Sequence, residues 1–332
     1  MPYKERLKSG NSRKRKKAEY KVTNWSQYNQ SLRKRGKISL YFPKGNIEFQ
    51  FINDEPYERG LSGRLATYKH AYIEFIYILY RLFGWGLRQI SGYVEDLWAI
   101  HGFKIPVPSF GHLSDLFATV PIRIRVFCRN IRKRIESGEE IDLIADSTGL
   151  RFGKASHWYE TKYNKSCNNR PWKKLHISMD TAMNIHEAII TNNDIADIEV
   201  VDELIPDNLN VSSFIADGGY YSSQKVEQLY QAGITPVIPP PSNAVGDLKN
   251  PTSWHNKIVQ YIKEKGTIYA FHKKYSYGRR DLAESQNSRI KRCIGNALLT
   301  QRVESQIREG RMIANIINLW NLFGQCNSVK IG

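Results

Sequence analysis

Residues 141–148 read Ile-Asp-Leu-Ile-Ala-Asp-Ser-Thr, and this stretch decides the fold class. Its apolar residues lead up to Asp146, a pattern typical of a buried strand that carries a carboxylate to the rim of a sheet. A similar stretch, Ser-Phe-Ile-Ala-Asp, ends at Asp217. Ligand sites of α/β proteins are built where strands end, so both aspartates are candidate active-site residues. Either aspartate alone could equally well begin a turn.

Strand and helix patterns alternate from residue 139 onward, which predicts an α/β fold with a mixed sheet and covering helices. The predicted strands are 141–145, 174–179, 187–191, 213–216 and 236–238. The predicted helices are 197–205, 222–232 and 281–323, the last perhaps as two long segments.

The residues before 139 show a different pattern, with apolar side chains at helical spacing through residues 72–82. A second helix is predicted over 86–100, and Ser109 is positioned to cap a third. Residues 38–60 are interpreted as an extended link. A helix, a short break and a capped helix suit a helix-turn-helix DNA-binding domain, although many three-helix bundles look the same. These patterns divide the chain into a mostly helical, helix-turn-helix-like region over 38–136 and an α/β region over 139–325.

The chain is strongly basic, with a formal charge of +17 from 49 Lys and Arg against 32 acidic residues. Residues 1–37 alone contribute +11. This segment contains an uninterrupted basic run, formed by Arg13, Lys14, Arg15, Lys16 and Lys17. Such an excess favours polyanions, because each neutralised phosphate releases counterions. We interpret 1–37 as a DNA-contacting arm; solubility or an anionic membrane surface would also account for the charge alone.

The cysteines and the apolar segments indicate the cellular compartment. Cys128, Cys167, Cys293 and Cys326 form no Cys-x-x-Cys pair, so reduced thiols are expected. The polar, basic N-terminus does not resemble a secretory signal. The most apolar stretch, 71–83, is too short and too charged to span a bilayer. A cytoplasmic protein without a membrane partner is predicted.

A third motif lies at 277–291, where Tyr, Arg, Glu and Lys follow the spacing Tyr-x2-Arg-x3-Glu-x6-Lys. On a helix, Arg280, Glu284 and Lys291 share one face, because they are four and seven residues apart. A metal-binding carboxylate beside phosphate-binding cations is what phosphoryl transfer requires. A solvated helix face with favourable charge pairs would show the same spacing.

These motifs, in this order, resemble bacterial insertion-sequence transposases of the DDE class, in the group that bears this Tyr-Arg-Glu-Lys signature. Further segments agree with that family: Asp-Ser-Thr-Gly-Leu at 146–150, Trp-Lys-Lys-Leu-His at 172–176, Asp-Gly-Gly-Tyr at 217–220, Val-Ile-Pro-Pro-Pro-Ser-Asn-Ala at 237–244, and shorter matches within 24–29 and 87–89. The resemblance covers nearly the whole chain. Ser242 departs from it, since many relatives carry a basic residue there.

The resemblance implies a ribonuclease-H-like core in which Asp146, Asp217 and Glu284 are the catalytic, metal-binding triad. Hard oxygen ligands without a thiol or imidazole cluster favour Mg²⁺, with Mn²⁺ as a substitute. Two ions would activate a water molecule and stabilise the leaving 3′ oxygen.

The same resemblance implies that Tyr277, Arg280 and Lys291 contact transposon-end DNA. The expected function is a DNA transposase that binds the inverted-repeat ends of its insertion sequence, cuts there and joins the 3′-OH to target DNA. Its partners would be double-stranded DNA and, since two ends must be brought together, at least a second copy of the chain. Two alternatives remain: a ribonuclease-H-like nuclease without strand transfer, and a non-catalytic DNA-binding relative.

Several other polar residues compete for a place in the site. Asp180, Asp194 and Asp197 flank predicted strands or helix starts, where helix capping explains them. His176 and His272 could approach the site, but we interpret each as a structural hydrogen-bonding residue.

Overall fold

The computed structural model of the protein describes residues 19–53, 67–152, 172–246 and 250–331. The strands are β1 (Glu19–Val22), β2 (Ile141–Arg151), β3 (Trp172–Met179), β4 (Ile185–Asn192), β5 (Val211–Ile215), β6 (Thr235–Val237) and β7 (Ser328–Ile331). The α-helices are α1 (Trp25–Arg35), α2 (Ile47–Phe51), α3 (His70–Phe83), α4 (Leu87–His101), α5 (Phe110–Thr119), α6 (Arg129–Glu136), α7 (Ser223–Gln231), α8 (Trp254–Lys265), α9 (Ile268–Lys274), α10 (Asp281–Cys293) and α11 (Val303–Phe323).

The central sheet has the strand order β4-β3-β2-β5-β6. β4, β3 and β2 pair antiparallel, whereas β5 and β6 extend the sheet in parallel with β2. Helices flank this sheet, and the mixed α/β class predicted from the sequence is confirmed. The pairing makes β2 the central strand, with a hydrogen-bonded neighbour on each side.

Asp146 does not end its strand, and this corrects the sequence-based expectation. β2 continues for five residues beyond Asp146, because β3 pairs with it as far as Arg151 and Trp172. The parallel pairing with β5 stops earlier, at Ile144 and Ile215. Asp146 therefore lies at the point where β2 loses one of its two neighbours, which leaves space beside it. Asp217 does follow the end of its strand, as predicted.

α11 is the long helix that covers the antiparallel half of the sheet. Its buried side chains include Met312, Ile316 and Trp320. Gly310 makes the close approach possible, because a Cβ there would lie only 2.8 Å from Cγ1 of Ile190 in β4. The helix also carries amide side chains that bind backbone groups: Asn318 accepts a hydrogen bond from the Ile185 amide and donates to the Ile185 carbonyl.

The N-terminal helices share one continuous hydrophobic core with the sheet. The predicted helices at 72–82 and 86–100 correspond to α3 and α4, and the Ser109 side chain caps α5 by accepting from the His112 amide. The extended link predicted for 38–60 is wrong where it is described. Residues Ile38–Tyr41 form a 3-10 helix and 47–51 form α2, because Tyr41 and Phe51 are buried anchors.

A buried ion pair connects the helical region to α11. Arg81 of α3 donates to Glu309 at 2.8 Å, and both side chains are essentially inaccessible to solvent. Glu309 also accepts from the amides of Leu299 and Thr300, so its charge is well compensated.

Separately, β1 and β7 form a two-stranded antiparallel sheet.

Several helices had no counterpart in the sequence-based prediction, among them α1 in the segment 1–37 and two helices after β6. α8 and α9 lie between β6 and the Tyr-Arg-Glu-Lys segment, and the capping side chains are Ser253 and Thr267. The helix predicted for 197–205 is only a 3-10 helix at Asp197–Val200, followed by turns. The two-segment prediction for 281–323 is confirmed by α10 and α11.

Candidate active site

Asp146, in β2, and Asp217, two residues after the end of β5, lie beside each other where the parallel pairing of these strands ends. Ile144 pairs with Ile215, and each aspartate follows its strand partner by two residues. Adjacent strands are about 4.8 Å apart, so the two carboxylates approach closely enough to repel each other. In agreement, Asp217 contributes to raising the pKa of the Asp146 carboxyl.

The Asp146 carboxylate is held by groups from α10 and from the segment before it. Nδ2 of Asn287 donates to its Oδ2 at 3.0 Å, and Nη1 of Arg280 lies 3.9 Å from its Oδ1. Burial raises the pKa of Asp146 above its usual value, with Asp217 adding to the effect, while Arg280 and Asn287 act in the opposite direction. The donors around the largely buried Asp146 carboxylate thus offset part of the cost of burying its charge.

Glu284 lies near this pair, but its side chain is turned toward Arg280. The Arg280 guanidinium forms an ion pair with the Glu284 carboxylate, whose side chain is 56% exposed. Arg280 therefore lies between Glu284 and Asp146. Among the residues that the structure describes, no three acidic, histidine or cysteine side chains converge closely enough to hold a metal ion.

Tyr277 and Lys291, the other two residues of the Tyr-Arg-Glu-Lys motif, lie at the two ends of the segment 277–291. Tyr277 is half-buried beside the site; burial raises its pKa to about 12, Arg280 lowers it, and Asp217 raises it. Its ring stacks on His272 at 4.5 Å. Lys291 is on α10, two turns beyond Glu284. The basic run at 13–17 lies outside the described residues.

Asp197 is the residue that the sequence-based reasoning missed. Its Oδ2 accepts from Oγ of Ser147 at 3.0 Å, and its Oδ1 accepts from Nζ of Lys174 at 3.1 Å. His176 is fully buried nearby, and burial lowers its pKa to about 4. The pairing of Ser147 with His176 would have pointed to Asp197. That register between β2 and β3 is a tertiary feature and cannot be obtained from the sequence alone.

The chemistry of the donor set bears on whether these residues suit a divalent cation. Asp146, Asp217 and Glu284 offer only carboxylate oxygens, which are the ligands that hard divalent cations prefer. Gly219 lets the turn that carries Asp217 lie close to Asp197, because a Cβ there would be 3.0 Å from Oδ1 of Asp217 and 3.3 Å from Oδ2 of Asp197. The donor set therefore fits a divalent metal.

A mixed sheet whose central strands present adjacent aspartates, with a carboxylate-bearing helix beside them, defines a ribonuclease-H-like fold. A family model described as "Transposase DDE domain" matches residues 137–319, more than half of the chain. A second model with the same description matches residues 33–154. The chain therefore belongs to the DDE transposase family, as its sequence motifs indicated. Enzymes of this family catalyse DNA transposition and generally use divalent metal ions.

Two expectations about the compartment can be compared with the structure. Cys128, Cys293 and Cys326 are free, while Cys167 lies outside the described residues. No helix in the described part of the chain combines the length and the apolar character needed to cross a membrane.

Proposed function

We propose that this transposase binds the inverted-repeat ends of its own insertion sequence, cuts at those ends and joins the freed 3′-OH to target DNA. Asp146, Asp217 and Glu284 are its catalytic, metal-binding carboxylates. The observation that carries the proposal is the juxtaposition of Asp146 and Asp217 on neighbouring strands, with Arg280 and Glu284 beside them. We place this enzyme in the bacterial cytoplasm, where its DNA is.

Two Mg²⁺ ions, replaceable by Mn²⁺, would activate the attacking oxygen and stabilise the leaving one when bound. Asp146 and Asp217 would hold them. Burial and the nearby Asp217 carboxylate raise the pKa of Asp146, and a bound cation would favour its ionised form. Glu284 completes the carboxylate set once it leaves Arg280.

DNA itself supplies a reason for Glu284 to leave Arg280. A phosphate oxygen accepts from guanidinium as well as a carboxylate does, and often with two parallel hydrogen bonds. When a DNA phosphate binds Arg280, the Glu284 side chain is free to turn toward Asp146. Since 56% of the Glu284 side chain is exposed, this rotation meets little packing. Metal binding and DNA binding are thereby coupled through one guanidinium.

The DNA-contacting residues are Tyr277, Arg280 and Lys291, together with the basic run Arg13–Lys17. The first three position the scissile phosphate, and the run binds flanking phosphates. We retain the division into an arm (1–37), a helical DNA-binding domain (38–136) and a catalytic domain (139–325). Since two transposon ends must be joined in one event, the active assembly is at least a homodimer.

Both chemical steps are in-line displacements at phosphorus. In the first, water attacks, the bond between phosphorus and the 3′ oxygen breaks, and the water proton ends on that oxygen, leaving a 3′-OH and a 5′-phosphate. In the second, this 3′-OH attacks a target phosphodiester, and its proton passes to the 3′ oxygen released from the target. The first step hydrolyses one phosphoester bond and the second exchanges one phosphoester bond for another, so neither step needs an external energy source.

The proposal is tested with Asp146→Asn, Asp217→Asn and Glu284→Gln in full-length protein, assayed on duplexes that carry the element's end. Each variant keeps its volume but loses a metal-binding charge, so cleavage and joining should be abolished while end binding persists. Asp194→Asn, an exposed aspartate, is the matched control. Near-normal cleavage by any triad variant contradicts the assignment of that residue. Cleavage by the wild type without joined products would instead indicate a nuclease, and end binding without cleavage a non-catalytic relative.

A further inference from the structure

We propose that Asp197 is a positioning residue of the metal site, which fixes the segments of Asp146 and Asp217 relative to each other. The inference rests on the proposed function, because it assumes that these two aspartates bind the metal. Asp197 comes from the loop after β4, so it contributes a third part of the chain to the site.

The first link runs to β2. Oδ2 of Asp197 accepts the hydroxyl proton of Ser147 at 3.0 Å, and Ser147 directly follows Asp146. Beyond Ile144, β2 has lost its parallel neighbour, so this segment is supported by β3 alone. The hydrogen bond from Ser147 supplies a lateral attachment where the sheet provides none.

The second link runs to the turn that carries Asp217. Oδ1 of Asp217 accepts from the Gly219 amide at 2.9 Å, and Oδ2 of Asp197 faces the same glycine. A Cβ on Gly219 would lie 3.0 Å from Oδ1 of Asp217 and 3.3 Å from Oδ2 of Asp197, so a larger residue would crowd both carboxylates. Asp197 therefore touches both segments that carry the metal-binding aspartates.

The negative charge of Asp197 is balanced by Lys174 and not by the proposed metal. Nζ of Lys174 lies 3.1 Å from its Oδ1 and also donates to the Ile195 carbonyl at 2.6 Å. His176 is close as well, but burial keeps its pKa at about 4, so it is neutral near pH 7. Lys174 thus lets a third carboxylate stand near two others without a large repulsion.

The buried hydroxyl of Tyr220 interacts with the same groups. The Tyr220 side chain is fully inaccessible to solvent. Its pKa is raised by burial and by the carboxylates of Asp197, Asp146 and Asp217, while a hydrogen bond with the Ser147 side chain lowers it.

Helix capping does not account for Asp197. The 3-10 helix Asp197–Val200 is capped by Glu199, whose carboxylate accepts from the Ala196 amide at 2.8 Å. The carboxylate of Asp197 instead accepts from Ser147 and Lys174, which belong to the sheet. Its position is explained by the site and not by its own helix.

The test measures Mn²⁺ binding to full-length, DNA-free protein by electron paramagnetic resonance, with melting temperature recorded on the same samples. Asp197→Ala should weaken Mn²⁺ binding about tenfold, the lower end of what partners of metal ligands usually contribute. Asp197→Asn should lose less, since an amide oxygen still accepts from Ser147. Asp194→Ala, an exposed aspartate three residues earlier, removes the same charge and should bind Mn²⁺ as the wild type does.

Wild-type Mn²⁺ affinity in folded Asp197→Ala or Asp197→Asn overturns the inference, as does an equal loss in Asp194→Ala. If Asp197→Ala does not fold, Asp197→Asn decides alone. Asp146→Asn distinguishes a failure of the proposed metal site from a failure of the role of Asp197. If Asp146→Asn also leaves Mn²⁺ binding unchanged, the proposed metal site is wrong. If Asp146→Asn weakens binding and the Asp197 variants do not, only the positioning role fails.

Discussion

Asn287 donates a 3.0 Å hydrogen bond from Nδ2 to Oδ2 of Asp146, and this contact ties α10 to the central strand of the sheet. α10 thereby orients Asp146 through one residue and presents Glu284 one turn earlier. The helix is further anchored by Gln286, which donates to the Met183 carbonyl at 2.9 Å. The relative position of two proposed metal ligands is thus set by a single helix face.

Replacing Asn287 with alanine should shift the acid limb of the pH–activity profile to higher pH. Asp146 must be ionised to bind metal, and its pKa is already raised by burial. Asn287 lowers that pKa, so its loss raises the pKa further, and activity is lost sooner as pH falls. Cleavage measured from pH 5 to 8 at fixed metal tests this. The exposed neighbour variant, Ser288→Ala, should keep the wild-type profile, and an unchanged acid limb in Asn287→Ala contradicts the prediction.

Arg280→Ala and Lys291→Ala should both weaken end-DNA binding and slow cleavage. Lys291→Ala should leave metal affinity nearly intact, and Arg280→Ala should not lower it, because the loss of the guanidinium also releases Glu284. Both cations are expected to hold phosphates, and neither has a lone pair for a metal. Glu284→Gln should show the reverse, with DNA affinity kept and metal-dependent cleavage lost. Lys291→Arg should be partly tolerated, because charge matters more than shape for a phosphate contact.

The competing explanation for the signature is a helix surface stabilised by charge pairs. In that case Arg280→Ala would cost within about 0.5 kcal/mol of stability and leave activity normal. Binding, cleavage and melting temperature measured on the same variants distinguish the two. Wild-type cleavage by both alanine variants would reduce the signature to a structural feature.

His176 should make the protein less stable in mild acid. Burial lowers its pKa from 6.5 to about 4, so between these values the unfolded chain binds a proton that the folded chain does not. The contribution of His176 to the free energy of unfolding is therefore fully present above about pH 6.5. It is lost as the pH falls toward 4, by up to about 3 kcal/mol. Urea unfolding of wild type and His176→Gln at pH 7 and pH 4.5 measures this difference. An equal pH dependence in both proteins contradicts it.

Breaking the buried pair of Arg81 and Glu309 should be severely destabilising. Glu309→Gln leaves the Arg81 charge buried without its counterion, and such losses are about 3–5 kcal/mol. The double variant Arg81→Met with Glu309→Gln should recover part of the loss, since no charge stays buried. Asp115→Asn removes the exposed partner of Arg302 and should cost less than about 1 kcal/mol. Denaturant titration of the wild type and these three variants gives the three losses, and a double variant no more stable than Glu309→Gln contradicts the prediction.

Removing residues 1–18 should flatten the salt dependence of end-DNA binding. The deletion ends before β1, so the pairing of β1 with β7 is preserved. It removes the basic run at 13–17, and each lost phosphate contact lowers the slope of log affinity against log salt by about 0.9. Binding titrations between 50 and 300 mM salt test this prediction. An unchanged slope would assign recognition to the rest of the chain.

Patterns local in sequence were enough to predict much of the fold. Apolar runs that end in polar residues predicted the strands of the sheet, and the helical spacing of apolar residues predicted α3 and α4. The capping of α5 by Ser109 followed from its residue type alone. The prediction failed where burial of a few anchors decides the conformation, as at Tyr41 and Phe51. It also missed α8 and α9, whose residues are more polar than those of α3.

In the candidate site, too, some residues could be predicted from local patterns and others depend on tertiary contacts. Asp146, Asp217 and Glu284 could be proposed from strand ends and a spaced motif, since each signal is local. The contacts of Asn287 and Asp197 could not, because they join residues 141 and 50 positions apart. Asp197 in particular looked like a helix cap until the register of β2 and β3 placed Ser147 and Lys174 beside it. The supporting residues of a site depend on strand register, which a single sequence does not reveal.

The packing of α11 on β4 has a consequence for how the chain is made. On the ribosome, β4 is complete more than a hundred residues before α11 begins, a delay of roughly 5–20 s at ordinary elongation rates. During that interval α11 does not yet cover the apolar face of the sheet, and the close contact between Gly310 and Ile190 has not formed. Folding of this enzyme is therefore a late event in its synthesis. A chain released before residue 303 would keep that face open to aggregation and to proteolysis.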